Sequence, residues 1–106
     1  MISFEDFKKL ELVTAKVVDV QLHPNADKLY VLKIAVGEEE RQIVAGLREF
    51  YKPEELSGKT VVVVKNLATA TIRGVDSNGM LLAARDGKDL SIITAEKPIK
   101  DGSKIS

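Results

Sequence analysis

The sequence predicts an all-β fold, a single small barrel of five strands in one domain spanning residues 1–106. It adds a short N-terminal helix, a short helix between strands three and four, and a C-terminal extension. Three observations carry this. Runs rich in β-branched residues recur at short intervals and end on Gly or Pro. One helix-like break, "REFYKPEELSG", falls between the third and fourth runs. The chain of 106 residues, 44% of them apolar, is long enough to bury one core without cross-links.

The elements follow in order. "SFEDFKKLEL" places Phe4, Phe7 and Leu10 at helical spacing, with Ser3 as N-cap and acidic residues in the first turn. This helix is expected to plug the open end of the barrel. "LVTAKVVDVQL" is the first strand, closed by Pro24, and "KLYVLKIAV" is the second, ending at Gly37. "GEEER" is an exposed acidic turn leading into the third strand, "RQIVAGL", so the two strands form a hairpin. Pro53 suits the first turn of a helix that Gly58 stops. "KTVVVVKNL" is the clearest strand, because four consecutive valines are stiff at χ1 and pack well in a sheet. "ATATIRGVDSNG" is a long polar connection, "MLLAARDG" the fifth strand, and "SIIT" in the tail a strand too short to stand without a partner. Strands this short and regular build a small barrel or a sandwich; the helix placement favours the OB-fold barrel.

Composition excludes several kinds of chemistry. There is no cysteine and one histidine, so disulfides and a Cys/His zinc centre are out of reach, and no metal or other cofactor is expected. The N-terminus is acidic where a secretory signal would be apolar, and no run approaches membrane-spanning length, so a cytoplasmic protein with no membrane partner is expected. Sixteen basic residues balance sixteen acidic ones. Any affinity for a polyanion must therefore come from where the charges sit, not from their sum.

Three constellations remain. In "HPNADKLYVLKI", residues 23–34, His23 and Asp27 could be a base and its orienting carboxylate, but no nucleophile, G-x-S-x-G elbow or HExxH pair accompanies them. A strand-ending turn built on Pro24 and Asn25 is the simpler reading, and no catalytic residue is assigned. In "IRGVDSNGML", residues 72–81, Arg73 and Lys65 flank a loop carrying Ser77, Asn78 and Met80, with Gly74 and Gly79 permitting close backbone approach. As an isolated segment "DSNG" reads as an ordinary tight turn. Finally, Lys16, Lys28, Lys65 and Arg73 fall at strand ends or in the loop, and Lys33 shares a strand face with Leu29 and Val31. Acidic residues cluster elsewhere, in "FED", "EEE" and "PEE", which allows a local basic face on a neutral chain.

Taken together, "HPNADKLYVLKIAVG", "QIVAGL", "PEELSGK", "VVVV" and "RGVDSNGMLLAA" resemble the tRNA-binding OB domain, over nearly the whole chain from about Phe4. That family occurs at the C-terminus of many methionyl-tRNA synthetases, as free-standing dimeric tRNA-binding proteins, in the endothelial monocyte-activating polypeptide and as an insertion in bacterial phenylalanyl-tRNA synthetase. The resemblance implies a non-catalytic module that grips tRNA by shape at its outer corner and raises the affinity of methionyl-tRNA synthetase, in cis or in trans. It also implies RNA contacts at Asn25, Lys28, Ser77 and Met80, with Lys33 and Arg73 as further cations; the charge pattern adds Lys65. A homodimer is implied too, with Ile92, Ile93 and Ile99 of the tail at its interface. With no Trp and few aromatics, stacking on a row of rings is not the expected mode. The competing function is a protein-binding export chaperone of the same fold family, favoured by the even charge balance.

Overall fold

The computed structural model describes residues 1–106. Its elements run α1 (Phe4–Lys8), β1 (Leu12–Leu22), β2 (Tyr30–Val36), β3 (Glu39–Ala45), α2 (Pro53–Leu56) and β4 (Thr60–Val64). Then come β5 (Ala70–Ile72), β6 (Val75–Ser77), β7 (Met80–Leu81), β8 (Ala83–Asp86) and β9 (Asp89–Ile92). Along β2 burial alternates: Tyr30, Leu32, Ile34 and Val36 point into the core while Lys33 is exposed. β1 serves two partners, pairing through Lys16–Leu22 with β2 and through Leu12–Lys16 with β4. A bulge at Val18, within the part paired with β2, bends it. The resulting antiparallel sheet has the order β3-β2-β1-β4-β7 and curls around a core that includes Val17, Leu32, Ile34, Ile43, Leu56, Val61 and Val63.

The curl is closed by the segment leading into β7. The Asn78 amide donates to the Gln42 carbonyl at 2.8 Å, and the Ser77 hydroxyl accepts from the Val44 amide at 2.9 Å while donating to the Gly79 carbonyl at 2.9 Å. These bonds join β3 to the β6–β7 region across the gap between sheet edges. The result is an OB-like barrel with two short helices, as the element order predicts. The second helix also matches its expected caps: Pro53 lies in its first turn and Gly58 follows it at φ +83°. No helix is long and apolar enough to cross a membrane.

Three elements differ from expectation. Helix α1 has its Ser3 cap, which accepts from the Asp6 amide at 3.1 Å, but buries no residue and does not plug the barrel. It is tethered outside by Asn66, which donates to the Lys9 carbonyl at 2.7 Å and accepts from the Glu11 amide at 2.8 Å. The connection 68–79 contains the β5–β6 hairpin. Its strands are only three residues each, too short for their alternation to stand out, and a Thr71–Asp76 side-chain bond of 2.7 Å holds the pair. The stretch 80–87 divides at Leu82: β7 stays on β4, whereas β8 folds back on β9 through the Gly87–Lys88 turn. Gly87, at φ +59°, supplies the left-handed backbone that this tight reversal needs.

The C-terminal extension pairs with the start of β1. Gly102 donates to the Thr14 carbonyl at 2.7 Å, Thr14 to the Ser103 carbonyl at 2.9 Å, and Ile105 to the Leu12 carbonyl at 2.8 Å. The buried Thr14 hydroxyl adds two bonds, donating to the Lys100 carbonyl and accepting from the Ser103 amide, both at 3.0 Å. Thr14→Val removes that hydroxyl at constant shape. The expected loss is about 1–2 kcal/mol, or roughly 5–10 °C in thermal midpoint, with faster hydrogen exchange at Ser103. An unchanged midpoint and exchange rate would mean the tail is held by its backbone alone.

Candidate nucleic-acid interface

The loop between β1 and β2 is held from within and from outside. Within it, the His23 amide donates to the Leu29 carbonyl at 3.2 Å and Leu29 to the Ala26 carbonyl at 3.4 Å. From outside, Arg48, just beyond β3, reaches the Ala26 carbonyl through Nη1 at 3.4 Å. His23 is 3% exposed, and its two ring nitrogens face different partners. Nε2 lies 2.9 Å from the Ile72 carbonyl, and Nδ1 lies 3.0 Å from the Asn25 amide. A carbonyl only accepts and a backbone amide only donates, so the ring is neutral with its hydrogen on Nε2. It is bonded structurally and is not presented to solvent as a base.

Across from this loop stands the tip of the β5–β6 hairpin, Arg73-Gly74. Both residues have left-handed backbone, φ 53° and 85°, as a two-residue type I′ turn requires. The Asn25 side-chain amide donates to the Arg73 carbonyl at 3.2 Å, a second bond across the gap beside His23–Ile72. The bond brings Asn25 to Arg73 from a segment far away in the chain and joins the two segments in a rim; Lys28 follows in the same loop, and all three are exposed.

The other predicted positions lie at graded distances from this rim. Lys33 is exposed on the outer face of β2, between Asp19 of β1 and Gln42 of β3, and Gln42 ties that face to the hairpin through the Asp76 carbonyl at 2.9 Å. Ser77 is 2% exposed, with its hydroxyl committed on both sides to barrel closure. Met80 is half-buried opposite Val64. Lys65 sits at the base of the hairpin, not the tip, lining an open polar groove of about 510 Å³ with Glu39, Arg41, Asn66, Thr69 and Asn78. There it lies 3.8 Å from Glu39, which also takes a 2.6 Å bond from Arg41. That Arg41 bond first, then the charges of Arg41 and Lys65, holds the Glu39 carboxyl below its usual range. Its stabilisation is complete above the ordinary carboxylate range and disappears as pH falls through the lowered value. In the tail, Ile92 packs against the core, whereas Ile93 and Ile99 are exposed.

Charge supports a polyanion at the rim. The chain has three ion pairs, Lys9–Asp6, Arg41–Glu39 and Lys65–Glu39. None involves Lys28, Lys33 or Arg73, so their heads are free for phosphate. The acidic neighbours are Asp19, opposite Lys33 and bonded to Gln21; Asp27, exposed in the loop; and Asp76, bonded to Thr71. Sequence reading missed Arg48 as a support and His23 as a link. Nothing local marks either one, since each acts on a segment remote in the chain.

Residues 12–104 match the family described as "Putative tRNA binding domain". The methionine–tRNA ligase of Nanoarchaeum equitans is 49% identical over 105 residues, 99% of this chain; the chain spans only 14% of that enzyme's length. A solved structure of a MetRS-related protein from Pyrococcus horikoshii superposes with a TM-score of 0.93 at 29% identity, covering 100% of this chain and 98% of that one. The chaperone CsaA of Bacillus anthracis superposes with a TM-score of 0.90, also at 29% identity, covering 100% and 99%. The chain belongs to the tRNA-binding domain family, whose OB-like barrel it carries.

Proposed function

We propose that this domain is a non-catalytic, structure-specific tRNA-binding module that raises the tRNA affinity of a methionyl-tRNA synthetase in the cytoplasm, in cis or in trans. The observation that carries the reading is the shared rim: the loop with Asn25 and Lys28 is bonded directly to the hairpin tip with Arg73. Lys28, Arg73 and, on the adjoining face, Lys33 pair with phosphates, and the Asn25 carbonyl oxygen accepts from a ribose hydroxyl. Met80 offers a flexible apolar edge to a sugar, and Lys65 extends the cationic path into the groove at the hairpin base. Ser77 acts from inside the barrel wall by holding Asn78 and Gly79 in place. Rigid, preset donors of this kind suit folded RNA better than a flexible single strand.

Binding of whole tRNA against a linear RNA of equal length, across a salt series, tests the reading. Tighter binding to tRNA is expected, and equal affinity for both would refute shape recognition. Lys28→Ala should weaken all tRNAs alike and make the salt slope shallower by about one unit. Two copies are proposed to pair through apolar groups left exposed near the termini, Phe4, Ile93 and Ile99, and equilibrium sedimentation of Ile99→Asp reads that out.

The second reading is a chaperone, favoured by the CsaA likeness and by an apolar groove of about 200 Å³ lined by Phe4, Phe7, Leu10, Leu12 and Ile105. Suppression of client aggregation with no binding of tRNA would establish it. The RNA reading is preferred because the rim joins cations and amide donors from two distant segments, whereas that groove is mostly apolar, with Lys8 and Lys104 at its edge.

A further inference from the structure

We infer that His23 is a positioning residue for RNA binding: it pins the β5–β6 hairpin to the β1–β2 loop and so fixes Arg73 relative to Asn25 and Lys28. The inference rests on the tRNA-binding reading above. The hairpin has little else at its tip to hold it. β5 and β6 are three residues each and largely exposed, and the bonds tying β6 and its flanks to β3, from Gln42 and Val44, lie at the Ser77 end of the hairpin. At the tip two bonds cross to the loop, from the buried His23 ring and from the exposed Asn25 side chain. The Asn25 bond is open to water and competes with any ligand Asn25 touches; the His23 bond is shielded from both. The same ring also shapes its own loop, because Nδ1 accepts the Asn25 amide. With its hydrogen on Nε2, one side chain therefore sets both edges of the rim.

The two ring functions can be separated by substitution. In His23→Asn, the side-chain oxygen can still accept the amide two residues on, as in an Asx turn, but nothing reaches Ile72. In His23→Gln, the amide nitrogen takes the place of Nε2 and can still donate to the Ile72 carbonyl. Affinity for whole tRNA is measured by fluorescence anisotropy at several salt concentrations for the native chain, both His23 variants, Arg73→Ala, and His23→Asn combined with Arg73→Ala. Arg73→Ala is expected to weaken binding about tenfold and to make the salt slope shallower by about one. His23→Asn should do the same, and should cost less than about twofold more once Arg73 is gone, since it acts through Arg73. His23→Gln should stay within about threefold of the native affinity.

An undiminished effect of His23→Asn in the Arg73→Ala background would overturn the pin while leaving the tRNA reading intact. So would a folded His23→Gln that binds as weakly as Arg73→Ala, a result still available if His23→Asn does not fold. Native affinity in Arg73→Ala would instead strike at the rim itself. General destabilisation moves the thermal midpoint, but it produces neither the shallower salt slope nor the loss of effect in the double variant.

Discussion

Gly79→Ala is expected to lower the stability of the fold by about 3 kcal/mol, roughly 15 °C in thermal midpoint. Two independent features require glycine there. Its φ is +121°, a backbone conformation side chains avoid, and a Cβ would stand 2.9 Å from the Val64 carbonyl oxygen. That oxygen belongs to β4, so it cannot swing aside as a side chain would. Relief must come from moving the loop, and the loop carries Ser77 and Asn78, whose bonds to Val44 and Gln42 close the barrel. Weakened tRNA binding is therefore expected even well below the melting temperature, because the hairpin above the loop loses its base. Thermal denaturation followed by circular dichroism measures the first effect and anisotropy the second. A midpoint within about 3 °C of the native value would show that the loop has slack the contact does not reveal.

Arg73→Asn should move stability and binding in opposite directions. Arginine at a left-handed position costs about 1 kcal/mol, and the first central position of a type I′ turn is where asparagine is most at home. Arg73 makes no ion pair and is exposed, so its side chain returns little to the fold. Replacement is expected to raise stability by about 0.5–1 kcal/mol and to weaken tRNA binding about tenfold. An arginine held against its local backbone preference is consistent with a use for its charge, which the proposed RNA contact supplies. Unchanged affinity would remove Arg73 from the interface; unchanged stability would mean that the turn tolerates arginine without strain.

Much of the architecture can be read along the chain because it rests on local physics. The β-branched runs, the Gly37 turn and the Pro53-to-Gly58 helix each depend on residues within a few positions of one another, and each forms where those residues place it. The β5–β6 hairpin escapes such reading. Its strands are three residues each, too short for their inward face of Ala70, Ile72, Val75 and Ser77 to register as alternation, and its turn holds an arginine where the usual signal would be Asn or Asp. Helix α1 misleads in the opposite sense: its apolar spacing is right for a buried face, yet Phe4 is 70% exposed and no residue of the helix is buried.

Unaided, the order of residues specified an all-β barrel, its capped helices, a candidate set of cations and membership of the tRNA-binding domain family. It left undetermined what each polar side chain faces. His23 finds its partner 49 residues away, and the Ser77 hydroxyl bonds an amide 33 residues away. Those pairings exist only after the strands curl and the sheet closes, because burial and hydrogen bonding between distant segments follow from how the whole chain packs. That packing turns a histidine that might have been a base into a strut, and a serine that might have touched RNA into a clasp.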